Sequence, residues 1–181
     1  MRDSRIDKFA DVLTRYSTAL KPGQIVRIQG PIAAEPIIEA TAEAAIRIGA
    51  HPMVRITPES LREYLLKHGS EEQLQWVYPL AEQEVQTIDA HINFLASSNT
   101  RGSRRIDPAR SAMMAQAQRP VRKIFFERAA KEELRWCLTL FPTHAHAQEA
   151  RMSFDEYVDF VFSAGHLNDD DPVAFWSEFE K

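Results

Sequence analysis

One cysteine, six glycines and no surplus of positive charge define what this 181-residue sequence lacks. A lone Cys137 excludes an intramolecular disulfide and any cysteine-built zinc site. It lies in the apolar run 136–141 with no neighbouring cation to hold it as thiolate, so a buried, inert thiol is expected. The sparse glycines form neither a G-x-G-x-x-G turn nor a P-loop, and no G-x-S-x-G nucleophile elbow occurs. A net charge of −4 argues against the concentrated basic surface of a nucleic-acid binder. The nearest such cluster, Arg101, Arg104, Arg105 and Arg110, reads as a solvated or ligand-facing loop. No apolar run approaches membrane-spanning length, and residues 1–6 lack the apolar core of a signal peptide. The expectation is a cytoplasmic protein with neither a nucleic-acid nor a membrane partner.

What is present is an alternation of helical and strand patterns. Ile6, Phe9, Leu13, Tyr16 and Leu20 recur at helical spacing and predict a helix over 3–20, ended by Lys21-Pro22-Gly23. Strands are predicted at 24–30, 53–56, 89–96 and 135–141, the last as a buried core strand. Between the first two lies a helix over 33–48 that stops at Gly49. Thr57 then caps a helix with Pro58 at its first position and Leu61, Tyr64 and Leu65 inward. Ser70 to Gln73 and Ser153 to Glu156 are capping boxes. Asp107-Pro108 opens a long helix that Pro120 should kink or divide. Tyr157, Phe160, Val161 and Ala164 make the inner face of a later helix. Phe175, Trp176 and Phe179 form a terminal apolar face that either packs back on the sheet or docks on another domain or subunit.

This order predicts an α/β fold, a single three-layer domain over 1–181 with about four mainly parallel strands flanked by helices. In such sheets ligands bind outside the carboxyl ends of the strands. Two stretches fall there. After the fourth strand come Thr143, His144, His146 and Glu149, which carry metal-ligand chemistry. Positions two apart on a helix point to different faces, so His144 and His146 do not make a ligand pair. After the third strand comes Ser98-Asn99-Thr100-Arg101. Arg101 is suited to pairing with a carboxylate and Asn99 to bonding a peptide group; equally, Asn and Thr in such a loop cap its own backbone.

Several short stretches also resemble one metallopeptidase family in their order. They include residues 1–10, Lys21-Pro22-Gly23, Ala34-Glu35-Pro36, Ala50-His51-Pro52, Asn99-Thr100-Arg101, Glu127-Arg128-Ala129-Ala130 and Leu134-Arg135-Trp136. Phe141-Pro142-Thr143, Ala147-Gln148-Glu149-Ala150, Met152-Ser153 and Asp171-Pro172-Val173-Ala174 complete the set. The chain resembles the N-terminal half of the thermophilic metallo-aminopeptidases of the aminopeptidase T, S and II types. The resemblance implies a peptide substrate and, in the full-length family, two divalent metal ions of zinc or cobalt type. It places the metal-binding glutamates, histidines, tyrosine and aspartate in a C-terminal peptidase domain, expected to be absent from residues 1–181. It therefore implies that no metal or other cofactor is bound by this chain, that none of its residues is catalytic, and that the chain alone is inactive. A homodimer or the missing domain is the implied partner. Relatives carry a glutamate and a tyrosine where His144 and His146 stand, whereas Asn99, Thr100 and Arg101 follow the family pattern and are the candidates for lining the substrate cleft. The competing expectation is a stand-alone module, derived from that domain, that binds a peptide or a subunit.

Overall fold

A computed structural model describes residues 2–102 and 104–179. The strands β1 (Ile25–Pro31), β2 (His51–Thr57), β3 (Ala90–Leu95) and β4 (Arg135–Leu140) form one sheet of order β2-β1-β3-β4. Every neighbouring pair runs parallel, with Arg27 beside His91 and Gln29 beside Asn93 across β1 and β3. Parallel neighbours require crossovers, and helices supply them. Before the sheet lies α1 (Ser4–Asp11), extended by a π-helical segment, Val12–Ser17. The first crossover is α2 (Glu35–Ile48); the second is α3 (Glu59–His68), α4 (Glu71–Gln75) and α5 (Ala81–Thr87). The third is α6 (Pro108–Ala117) and α7 (Arg119–Ala130), and α8 (His144–Ala150), α9 (Phe154–Ala164) and α10 (Pro172–Phe179) follow β4. Among the described residues no helix is long and apolar enough to cross a membrane.

One face of the sheet carries the core. Val26, Ile28, Ile92 and Phe94 point there and pack with Ile6 and Phe9 of α1, Ile37 and Ile38 of α2, and Phe162 of α9. Gly30 also faces this side: a Cβ there would sit 3.0 Å from Phe94 Cβ and 3.3 Å from Ala34 Cβ, so close packing between strand and helix requires glycine. The opposite face is polar at its centre, on β1 and β3, and apolar along the edge strand β4. Arg27 meets Glu84 of α5 at 2.9 Å, and His91 meets the edge of Phe125 of α7 at 5.7 Å between ring centroids. These helices cover the amino-terminal part of that face. Near the carboxyl ends a cavity opens instead.

The local signals hold where they rest on backbone chemistry. Both capping boxes form, Gly49 ends α2 in a left-handed turn at φ 86°, and Gln118, just ahead of Pro120, separates α6 from α7. Several expectations about burial are corrected. The fourth strand is not a buried core strand: it is the edge of the sheet, and Trp136 and Leu138 are 46% and 50% exposed. Cys137 points to the core side and is half-buried, and burial pushes its thiol pKa up. Pro58 itself precedes α3, Thr57 ends β2, and α3 buries Leu66 while Leu61 and Tyr64 face outward. In α9 the buried aromatic is Phe162, and Phe160 is exposed. The helix α5, with Val85 buried, was not expected from the sequence. The predicted first helix tightens into α1 and changes to π-helical turns, where the Thr14 and Thr18 hydroxyls bond to Ala10 O and Leu13 O. Of the terminal apolar face, Trp176 packs back on Tyr16 and donates Nε1–H to Gly165 O at 3.0 Å, while Phe179 stays exposed.

Candidate substrate cleft

From β1 the chain moves to one side of the sheet, and from β3 to the other. The carboxyl ends of β1 and β3 therefore flank the point where the winding reverses, where a crevice forms in sheets of this kind. A cavity of about 580 Å³ occupies this point. Its walls are Gln29, Gly30 and Pro31 from β1, Asn93, Leu95 and Ser97 from β3 and its loop, and Leu140 from β4. From the sides come Arg55 of β2, Glu59 and Arg62 of α3, and His146 of α8.

The charged groups around it differ in how far they are already committed. Glu59 Oε2 accepts the Ser98 N–H at 2.7 Å and the Ser98 hydroxyl at 2.8 Å. Burial works against its charge, but these bonds outweigh it and hold the carboxyl below the usual carboxylate range. Arg55 donates to Glu84 at 2.8 Å, and the same carboxylate accepts from Arg27. No ion pair among the described residues includes Arg62, whose neighbour Glu63 is taken by Lys67. His146 Nδ1 is buried with no hydrogen-bond partner among the described residues.

The sequence candidates lie beside this cavity. A groove of about 250 Å³ shares Glu59, Arg62 and Ser97 with it and adds Asn99 and Thr100. Asn99 Oδ1 accepts the Arg101 N–H at 3.0 Å, closing the loop on itself. The Thr100 hydroxyl and Arg101 Nε both donate to Glu149 Oε1, at 2.9 and 3.0 Å. Those bonds hold the Glu149 carboxyl below its ordinary range and raise the Arg101 guanidinium. The loop and α8 are thereby tied together. His144 and His146 diverge, as their spacing requires: His144 stacks on Phe154 at 4.1 Å beside a separate, mainly apolar cavity of about 500 Å³. Sequence reasoning missed Gln29, Glu59 and Arg62. Gln29 carried a legible signal, being a polar residue near the end of an otherwise apolar strand. The two α3 residues carried none, because which helix flanks the crevice depends on strand order.

Among the described residues, the arrangement offers hydrogen-bonding amides, a hydroxyl, an imidazole and one guanidinium, Arg62, that is in no ion pair. It is equipped to bind and orient a polar ligand. It does not fit a metal centre: among the described residues no three His, Cys, Asp or Glu side chains are grouped to hold an ion. Glu59, the nearest carboxylate, is occupied by Ser98, and Glu149 by Arg101 and Thr100.

Fold and cleft together define a doubly wound α/β domain with a binding crevice at its strand ends. The model of the thermophilic metalloprotease family (M29) matches residues 2–181, and the chain belongs to that family. It is 24% identical over 187 residues to aminopeptidase 2 of Geobacillus stearothermophilus, an alignment covering 97% of this chain and 45% of that protein. The solved structure of wild-type AmpT from Thermus thermophilus has the same fold, with a TM-score of 0.78 at 22% identity, over 97% of this chain and 45% of that one. The chain spans about half the length of the relatives it matches.

Proposed function

We propose that this chain serves as the N-terminal, substrate-binding domain of a metal-dependent aminopeptidase, which removes N-terminal residues from peptides. The observation that carries this reading is the family match across residues 2–181. In this reading the domain forms a wall of the cleft and not its chemical centre. In this reading the two divalent ions of the complete enzyme, of zinc or cobalt type, are held by a second domain, and the enzyme works in the cytoplasm as a homodimer. Asn99 and Thr100 line the outer groove of the cleft and Arg101 a depression next to it, their loop held in place by Glu149.

The chain by itself then hydrolyses no peptide. Pure protein incubated with leucine p-nitroanilide and zinc or cobalt is expected to release no nitroaniline. Metal-dependent release that co-purifies with the chain would show that these residues hold the catalytic centre, contrary to the proposal.

A further inference from the structure

The cleft has a polarity that the family match does not assign. Gln29 and Asn93 are neighbours in the β1–β3 register and project from the same face of the sheet, each half-buried. Adjacent parallel strands lie about 4.8 Å apart, so the two carboxamides stand side by side. Each offers a donor and an acceptor, which is what a peptide group needs. No hydrogen bond among the described side chains uses either one. At the α3 side of the same cavity stands Arg62, whose guanidinium pairs with no carboxylate among the described residues. The other arginine of the cavity, Arg55, is held by Glu84 at 2.8 Å. On the opposite wall His146 lines the cavity, and its buried Nδ1 lacks a partner among the described residues.

Amide groups on the floor and an uncommitted cation at the edge describe a ligand with a peptide bond and a carboxylate. Building on the proposed role of this domain, we infer that the crevice between β1 and β3 binds the carboxyl-terminal end of a short peptide. Gln29 and Asn93 hold its last peptide group, and Arg62 holds its free carboxylate. The cavity volume of about 580 Å³ suits two or three residues, within the size range of small-ligand sites. Arginine suits this task because its planar fork meets both carboxylate oxygens at once. Glu59 makes no ion pair with Arg62 among the described residues, and its Oε2 accepts both Ser98 bonds. The predicted consequence is a preference for short peptides with a free C-terminus, since an amidated end offers Arg62 no charge.

The test is titration of the full chain with the tripeptide Leu-Gly-Gly and with its C-terminal amide, followed by calorimetry and by NMR of the Gln29 and Asn93 side-chain amides. The free-acid peptide is expected to bind at least tenfold more tightly than the amide and to shift both carboxamide signals. Arg62→Gln is expected to abolish that difference while leaving the melting temperature unchanged, because Arg62 is exposed and in no ion pair among the described residues. The Gln29→Leu variant should weaken both peptides alike. Equal affinity for acid and amide, or no binding of either at millimolar concentration, overturns the inference. Arg62-dependent binding of acetate or phosphate as tight as that of the tripeptide overturns the peptide assignment in favour of a simple anion site. None of these results bears on whether the chain hydrolyses peptides, so this site and the inactivity proposed for the isolated chain fail separately.

Discussion

His91 is a buried residue whose chemistry departs far from its ordinary behaviour. It is 8% exposed, and its Nδ1 accepts a hydrogen bond from Arg27 Nε at 3.1 Å. Burial, and then the adjacent Arg27 charge, push its pKa down to about 4. Unfolded, the same imidazole titrates near its free value of roughly 6.5. The unfolded chain therefore binds a proton between these values that the fold rejects, and stability falls as pH drops through that window. At about 1.4 kcal/mol for each pH unit crossed, the expected loss from the free value down to about 4 is roughly 3 kcal/mol. A His91→Gln variant, which keeps an acceptor for Arg27, should lose this slope in urea melts across the window. An unchanged slope would point to other groups. Nearby, Glu84 accepts from both Arg27 and Arg55 and is 9% exposed. Its burial disfavours charge, yet the bonds from Arg27 and Arg55 hold its carboxyl below the usual range. Replacing it by Leu leaves Arg27 buried and unpaired and should cost roughly 3 kcal/mol. Adding Arg27→Met should recover most of that, whereas additive losses in chemical denaturation would contradict the account.

Elements were legible where the backbone states its needs locally. Ser70 and Ser153 each take an N3 amide, as the spacing of their capping boxes requires. Thr143 does more than cap: its hydroxyl accepts the His146 N–H at 3.2 Å and donates to Ser97 O at 2.7 Å. It thereby fixes α8 to the end of β3, and with it the position of His146 at the cavity. Thr143→Ala should cost about 1–2 kcal/mol in thermal melts. Thr143→Ser, which keeps the hydroxyl, should recover most of that. Burial was less legible than capping. Trp136, Leu138 and Leu140 form an apolar row that reads as core, but they lie on the partly open face of an edge strand. An apolar run shows that a strand can be buried; it does not say on which side of the sheet a neighbour will stand. The same ambiguity misassigned the inner faces of α3 and α9 by one or two residues.

At the scale of the whole molecule, the main core among the described residues lies on one side of the sheet, made from α1, α2, α9 and the apolar faces of β1 and β3, while Leu66, Leu74, Val85, Ile88 and Leu134 are buried outside it. No group of metal-binding side chains contributes to it among the described residues. EDTA is therefore expected to leave the thermal midpoint of the chain unchanged, and added zinc to raise it by nothing measurable. A chelator-induced drop of several degrees would reveal a structural metal and refute this. The sheet divides the molecule: one face carries the main core, and the other carries the Arg27–Glu84–His91 cluster under α5 and α7 and, near the strand ends, the cleft.

By itself the sequence determined the α/β class, the order and approximate limits of the strands, and both capping boxes, because each depends on residues a few positions apart. It also placed Asn99, Thr100 and Arg101 just past a strand's carboxyl end. Only the tertiary structure decided that β1 and β3 are neighbours and that β4 is an edge. That choice brings Gln29, Arg62, Asn93 and His146 to one cavity, although they are far apart along the chain. It also commits Arg101 to Glu149 and leaves Arg62 outside every ion pair among the described residues. Those pairings depend on strand order and helix placement, which no short stretch of sequence encodes.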